Sequence, residues 1–344
     1  MTIDIGIILV GGLGTRLYPL TKTRPKPLIY FIDKPIIEYQ LQALKDANIK
    51  IVILCLNYFN EHLTEACIDW EKKFNMKIKL SKEDKPLDTA GPLKLAAKNF
   101  PEIYNSQGVI VMNADIYSTI KINELENYFK TLIKDNSTVC IIASYEVKDP
   151  TRYGCLLIEN NKITKFLEKP KTKEEIISNK INAGIYCMSP KIIKDMIKLK
   201  KVSIEKDIFP LLAKNGNLYN YNLDGFWIDV GVPAEYLYGQ RVVIEMLDLV
   251  KKNKAYSKNV ILGKNVIIKE NVSLSNCVIF DNTIINNNCV ITNAMIGYNC
   301  IIESNVKIGN ESSNVTILGD GVIVKEGVIK VISLIEPNEI INKI

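Results

Sequence analysis

Two hydrophobic rhythms alternate along the first two thirds of the chain. "IDIGIILVGG" is an apolar run closed by glycine, "KPIIEYQLQALKDANI" has helical spacing, and "KIVILCL" is again continuously apolar. "NEHLTEACIDWEKKF" returns to the helical period, and "GVIVMNAD" and "TVCIIASYEV" read as further strands. Strands buried on both faces lose their polar alternation, so this pattern predicts an α/β domain over residues 1–240. Its sheet is expected to be doubly wound, Rossmann-like and mainly parallel, with some mixed pairing. Ligands of such sheets bind beyond the carboxyl ends of the strands. "ILVGG" and "VIVMNAD" both leave their strands in non-core residues, so both mark edges of a candidate site.

The rhythm changes near residue 256. Val260, Val266, Val272, Val278, Ile284, Val290, Ile296, Ile302 and Ile308 recur every six positions, with Asn, Gly, Ser and Lys between them. One apolar residue per short strand, stacked coil on coil, predicts a parallel β-helix over 257–344. "NESSN" at 310–314 breaks the phase, and Val322 and Val328 resume it. Residues 235–256 have helical spacing, and 241–256 form the connector between the two domains. A solenoid leaves an exposed end unless its tail caps it, so a homo-oligomer assembled through the β-helix is expected.

Composition narrows the class. At 344 residues, 47% hydrophobic and 24% charged, the chain is long enough for two globular domains. The net charge of +6 suits a small anionic substrate. No basic block interleaved with aromatics argues for nucleic acid. The N-terminus lacks a basic leader, and no run reaches the ~18 apolar residues of a membrane span, so no membrane association is expected. Eight scattered cysteines without a CxxC pair read as buried thiols of a reducing, cytoplasmic protein. His62 is the only histidine, which removes histidine-based triads and histidine-rich zinc sites.

The chemistry concentrates in "GGLGTRLYPLT", residues 11–21. The ATPase loop needs Lys-Ser/Thr after its last glycine, and the turn has none. The dinucleotide fingerprint needs a third glycine where Leu17 stands. What remains is a glycine turn able to present backbone amides to a phosphate, with the Arg16 guanidinium as a planar anion fork. Lys26, between Pro25 and Pro27, is restrained beside that turn.

"GGLGTRLYPLT" with "RPKPL" resembles the signature of the sugar-1-phosphate nucleotidyltransferases. "DKPLDTAGPLKLA", "RYGCLLIE", "FLEKP", "NKINAGIY", "SIEKDIFP" and "GFWIDVGVPAEYL" follow in order, and resemble the eukaryotic-type mannose-1-phosphate guanylyltransferases of the catalytic (beta) type. "NVTILGDGVIV" and "IEPNEII" carry the likeness into the hexapeptide region. The resemblance implies a left-handed β-helix, Mg²⁺ as cofactor, and GTP and mannose 1-phosphate as substrates. GDP-mannose, used for glycoconjugate synthesis, and pyrophosphate would be the products.

It also implies roles. Lys169, Arg16 and Lys26 would be catalytic, neutralising phosphate charge. Leu9, Gly11, Gly12, Gly14 and Thr15 would line the nucleotide. Asp115 would contact substrate and, with Asp229, hold the metal. Glu168, Asn182 and Gly184 would face the sugar, as would Gly154 unless it is a simple turn glycine. Asp88, Thr89 and Ala90 would meet the base. Two positions depart from the family pattern. Asp88 replaces a glycine, and either accepts from guanine N1–H and N2–H₂ or is only a loop aspartate. Tyr18 replaces an arginine, leaving either weaker triphosphate binding or compensation by Lys22 or Arg24. Other readings are a non-catalytic GDP-mannose-sensing subunit and an enzyme joining glucose 1-phosphate with dTTP or UTP. A regulatory subunit is a further conceivable partner. An acyltransferase on the β-helix is disfavoured, because that domain has no histidine to act as a general base.

Overall fold

The computed structural model describes residues 3–12, 14–56, 61–83, 89–134, 137–197, 203–251, 258–312, 314–331 and 334–342. The chain forms two compact units. One comprises Met1–Gly11 and Ile37–Trp227, the other Gly12–Ile36 and Ile228–Ile344. The chain passes between them three times, once inside the glycine turn.

The first unit is built on a nine-stranded sheet. Its strands are β1 (Ile5–Leu9), β2 (Ile51–Leu56), β3 (Lys77–Lys82), β4 (Val109–Asn113), β5 (Cys140–Glu146), β6 (Gly154–Glu159), β7 (Lys162–Glu168), β8 (Lys180–Met188) and β9 (Leu218–Asn222). They lie in the order β3-β2-β1-β4-β8-β5-β9-β7-β6. The first four are mutually parallel, as the alternation predicts. Helices α1 (Ile36–Asp46), α2 (Glu61–Phe74) and α3 (Gly91–Asn99) supply the crossovers. Beyond β4 the sheet is mixed: β8 runs antiparallel to β4 and β5, β9 parallel to β5, and β7 antiparallel to β6. Ile5, Ile7 and Ile8 of β1 are at most 2% exposed, which explains a run with no polar alternation. Trp70 of α2 packs as its helical phase predicts, donating to Glu38 Oε1 at 2.9 Å. The ends of β1 and β4 are tied together, Ala114 N–H donating to the Leu9 carbonyl at 3.1 Å.

In the second unit, helix α4 (Pro233–Met246) starts before the expected connector and covers its first part, residues 241–246; residues 252–256 lie outside the described ones. It is no mere tether. Gln240, wholly buried, donates to Asn259 Oδ1 at 3.0 Å, and Asn259 donates back to the Leu237 carbonyl at 3.0 Å. Tyr236 meets Phe31 edge-on at 5.4 Å and donates its hydroxyl to the Tyr30 carbonyl. The segment after the glycine turn is thereby packed on the helix that starts the β-helix.

The β-helix is present, but the strict six-residue phase is corrected. Val260 pairs with Cys277, Ile267 with Ile284 and Ser273 with Val290, a coil of 17 residues. One corner of each coil is one residue short, so the six-residue series slips. Val260, Ile296, Ile302 and Ile308 reach the core, while Val278, Ile284 and Val290 face away from it. Cys277, Ile279, Ile285, Cys289 and Ile291 fill the interior instead. The insertion at 310–314 lengthens one coil to 22 residues, Ala294 pairing with Thr316 and Ile301 with Ile323. The corners are made by asparagines: Asn259, Asn265, Asn271, Asn276, Asn282, Asn288, Asn293, Asn299 and Asn305 all have φ between 44° and 65°. Asparagine tolerates this left-handed conformation because its short amide bonds locally. Here it bonds between coils, as in Asn265→Asn282 at 3.1 Å and Asn282→Asn299 at 3.2 Å. All eight cysteines are buried free thiols, as expected.

Candidate active site

The glycine turn is shaped by its own backbone. Gly14 has φ 65°, where a side chain would be strained and would press on Thr21 and Lys26. Its carbonyl accepts from Leu17 N–H and from the Thr21 hydroxyl, both at 2.8 Å, closing a 3₁₀ turn over Thr15–Leu17. Gly12 is exposed, with open space where a Cβ would stand. Thr15 and Arg16 are exposed as well, whereas Lys26 is buried beside Gly14, as its flanking prolines predict. Leu13 and Asp88 lie outside the described residues.

Three charged side chains meet at Gly231. A Cβ on Gly231 would collide with Lys26 Nζ, would lie 2.7 Å from Asp229 Oδ1, and 3.1 Å from Arg16 Nη2. Asp229 accepts from Gly231 N–H at 2.8 Å and stands 3.7 Å from Arg16. The Arg16 side chain is 53% exposed, so this ion pair is worth about 1 kcal/mol or less and yields readily to a phosphate. Sequence reasoning overlooked Gly231. Its only signal was the glycine in "WIDVG", whose neighbours Arg16 and Lys26 are some 200 residues away along the chain. Lys22 and Arg24, the two residues that could replace the charge missing at Tyr18, each have an ion-pair partner. Lys22 pairs with Glu336 at 2.5 Å, and Arg24 with Asp320 at 3.4 Å.

The other candidates belong to the sheet unit. Asp115 follows β4 by two residues, in a turn pinned by Gln40, which donates to the Asn113 and Ile116 carbonyls at 2.8 and 3.0 Å. Gly184 has φ 70° and sits in a bulge of β8, where a Cβ would strike Ile116 and the Asn113 amide. Asn182 holds that bulge: it accepts from Gly184 N–H at 2.9 Å and donates to the Tyr186 hydroxyl at 3.0 Å. Trp227 closes it from the side, donating to the Ala183 carbonyl at 2.8 Å.

Lys169 adopts φ 49°, rare for a side chain with a Cβ and characteristic of functional sites. Its Nζ is 3.4 Å from Glu168 Oε1 and it is well exposed. Gly154 lies opposite Glu168 in the ladder, where a Cβ would strike the Phe166 ring at 2.5 Å and sit 2.9 Å from Glu168 Oε2; the glycine makes room first for the ring and then for this carboxylate. Burial pushes the Glu168 carboxyl up and the Glu205 charge adds to this, while Lys169 opposes. Because the folded protein holds that proton above the usual glutamate range, raising the pH through this window removes it at a cost in stability. The acid limb of kcat/KM for the sugar substrate is expected above the usual glutamate range. Glu168→Gln should abolish that limb in a pH–rate profile, and an unchanged limb would refute the assignment.

Thr89 is not free to read a base with its hydroxyl alone. It accepts from Ile204 N–H at 2.9 Å and bonds Glu205 and Ser203, capping a π-helical turn over Ile204–Ile208. Ala90 is wholly buried. Ser203 and Glu205 were legible only as part of "SIEKDIFP"; nothing local in that stretch reveals the link to Thr89. Among the described residues no cluster of three or more potential metal ligands occurs, and no helix is long and apolar enough to cross a membrane.

Residues 5–246 match the nucleotidyl transferase family and residues 239–344 the GMPPB C-terminal domain. The chain belongs to the nucleotidyl transferase family, whose members generally use a divalent metal. Within it, the chain is similar to curated mannose-1-phosphate guanyltransferases. That of Yarrowia lipolytica is 40% identical over 72% of this chain and 66% of its own length, and that of Saccharomyces cerevisiae 39% identical over 70% and 65%. The chain thus spans just under two thirds of these relatives' length. Among solved structures, HddC from Yersinia pseudotuberculosis complexed with GMP-PN is 30% identical with TM-score 0.54, covering 69% of this chain and 97% of that one. A putative glucose-1-phosphate thymidylyltransferase from Bacillus anthracis is 25% identical with TM-score 0.59, covering 67% and 92%.

Proposed function

We propose that the chain transfers a guanylyl group from GTP to mannose 1-phosphate, forming GDP-mannose and pyrophosphate. The observation that carries this reading is the meeting of Arg16, Lys26 and Asp229 at Gly231, beside a glycine turn with no ATPase or dinucleotide pattern. The guanyltransferases among the relatives, and the GMP-PN complex of HddC, support guanine and mannose as the substrate classes.

A sugar-phosphate oxygen attacks the α-phosphorus of GTP, forming one P–O bond, while the bond to the bridging β-phosphate oxygen breaks and pyrophosphate leaves. Such a displacement asks for alignment and charge neutralisation rather than a protein nucleophile, so a single exposed histidine is no handicap. Arg16 and Lys26 bear on the leaving pyrophosphate, with the amides of Gly11, Gly12 and Gly14 as donors. Lys169 neutralises the attacking sugar phosphate and the α-phosphate, and Glu168 accepts from sugar hydroxyls. Asp115 and Asp229 are hard oxygen donors of the kind Mg²⁺ takes, so the chemistry of these two residues suits that ion. When bound, Mg²⁺ would supply Lewis-acid neutralisation of phosphate oxygens.

The same reading makes the protein cytoplasmic and homo-oligomeric. An in-register ladder of isoleucines on the β-helix surface supports self-association: Ile267, Ile284, Ile301, Ile323 and Ile340 stack coil on coil, Ile267 and Ile340 being 46% and 54% exposed. The purified protein with Mg²⁺, GTP and mannose 1-phosphate is expected to release pyrophosphate, and to do so far less with dTTP, UTP or glucose 1-phosphate. Turnover with dTTP or UTP but not GTP would overturn the guanylyl assignment. Binding of GDP-mannose without any turnover would identify a sensing subunit instead.

A further inference from the structure

We infer that the β-helix is part of the nucleotide-binding device, because it grips the short segment joining the two phosphate-facing charges of the glycine turn. This rests on the proposed role of that turn. Arg16 and Lys26 are separated by nine residues, and three successive ones, Lys22, Thr23 and Arg24, are held by side chains of the coils.

Asp320 is the centre of the grip. It accepts from the Thr23 hydroxyl at 2.8 Å, pairs with Arg24 at 3.4 Å, and accepts from Tyr298 N–H at 3.0 Å. The Arg24 guanidinium carbon lies over the Tyr298 ring, 3.4 Å from its centroid. Tyr298 is itself stacked on Phe280 at 4.8 Å, with the rings 13° from parallel. Glu336, near the end of the chain, adds the pair to Lys22. Tyr298 and Asp320 occupy the same corner of successive coils, each two residues beyond the paired Ile296 and Leu318. Gly297 and Gly319 empty the neighbouring position at that corner, where a Cβ would hit the backbone of the next coil.

The grip acts over a short lever. Arg24 is separated from Lys26 only by Pro25, buried and fixed in φ. On the other side, Thr21 holds the Gly14 carbonyl. A guanidinium held over a ring and bonded to a half-buried carboxylate keeps its orientation where a lysine would swivel. Arg24, Asp320 and Tyr298 are therefore positioning residues: they touch no substrate, and they set where Lys26 Nζ and the turn's amides stand.

The test uses full-length protein with Arg24→Ala, Asp320→Asn and the milder Arg24→Lys. It measures KM for GTP, KM for mannose 1-phosphate, kcat, melting temperature, and calorimetric binding of inorganic pyrophosphate. Arg24→Ala and Asp320→Asn are expected to raise KM for GTP and weaken pyrophosphate binding about tenfold, with KM for mannose 1-phosphate within about twofold. Arg24→Lys should fall between wild type and Arg24→Ala. The double variant should be no worse than either single one, because the two groups act as one. If wild type turns over GTP and the variants bind pyrophosphate as well as it does, the inference is overturned while the proposed function stands. A loss shared equally by both substrates, or explained by a fallen melting temperature that Arg24→Lys also shows, overturns it as well. Wild type that neither turns over GTP nor binds pyrophosphate overturns the proposed function and the inference together.

Discussion

Lys169→Ala is expected to lower kcat/KM by about 10²–10³-fold while the melting temperature stays within a few degrees of wild type. The side chain is 66% exposed and has the Glu168 carboxylate as its ion-pair partner, so little packing is lost on truncation. Its backbone conformation at φ 49° is held from outside, Lys169 N–H donating to the Tyr153 carbonyl at 3.0 Å, and alanine can keep that bond. What disappears is a positive charge placed at a turn the chain maintains at some conformational cost. A charge serving only the surface would be worth ~1 kcal/mol or less, under a tenfold effect. A near-normal rate in steady-state kinetics would therefore remove Lys169 from the mechanism.

Gly231→Ala is the second large effect, and it comes from a single methyl group. Gly231 lies outside the left-handed region of backbone conformation, so alanine adds no backbone strain there. The added Cβ instead occupies the space shared by Lys26 Nζ, Asp229 Oδ1 and Arg16 Nη2. All three are side-chain ends that can move aside, so the fold should survive. Displacing charged groups by about 1 Å from a reacting phosphate costs on the order of 10²-fold in rate. The expected result is a soluble protein with an unchanged circular-dichroism melt and kcat/KM for GTP reduced about 10²-fold. Wild-type kinetics would show that the convergence at Gly231 is incidental.

The parallel half of the sheet was legible because each strand is a local apolar run, and its helices carry their own period. The glycine turn and Asp115 could be placed at strand ends for the same reason, but the roles proposed for Asp115 and Lys169 came from the likeness of their motifs to the family and not from position alone. Gly231 and the Arg24–Asp320 pair were not legible, because their meaning lies in partners about 200 and 300 residues away. The β-helix was recognised from its valines and isoleucines but given the wrong pitch. Two in three corners keep the six-residue step, so an apolar series stays nearly in phase while it drifts out of the β-helix core. The asparagines tell the true pitch: 259, 265, 271, 276, 282, 288, 293, 299 and 305 step by six, six and five. A corner demanding positive φ tolerates few residue types, whereas an outward strand position accepts valine as readily as an inward one.

The division of the chain at Gly11/Gly12 bears on how such proteins can be taken apart. HddC and the Bacillus anthracis protein are each almost fully covered by about two thirds of this chain. In this chain the segment that carries the turn's charges shares one compact unit with the coils, so a cut between them divides that unit. Grafting these coils onto another transferase would bring a scaffold without its tenant. Excising residues 1–240 would leave the turn's charges in a chain that has lost the framework they fold against.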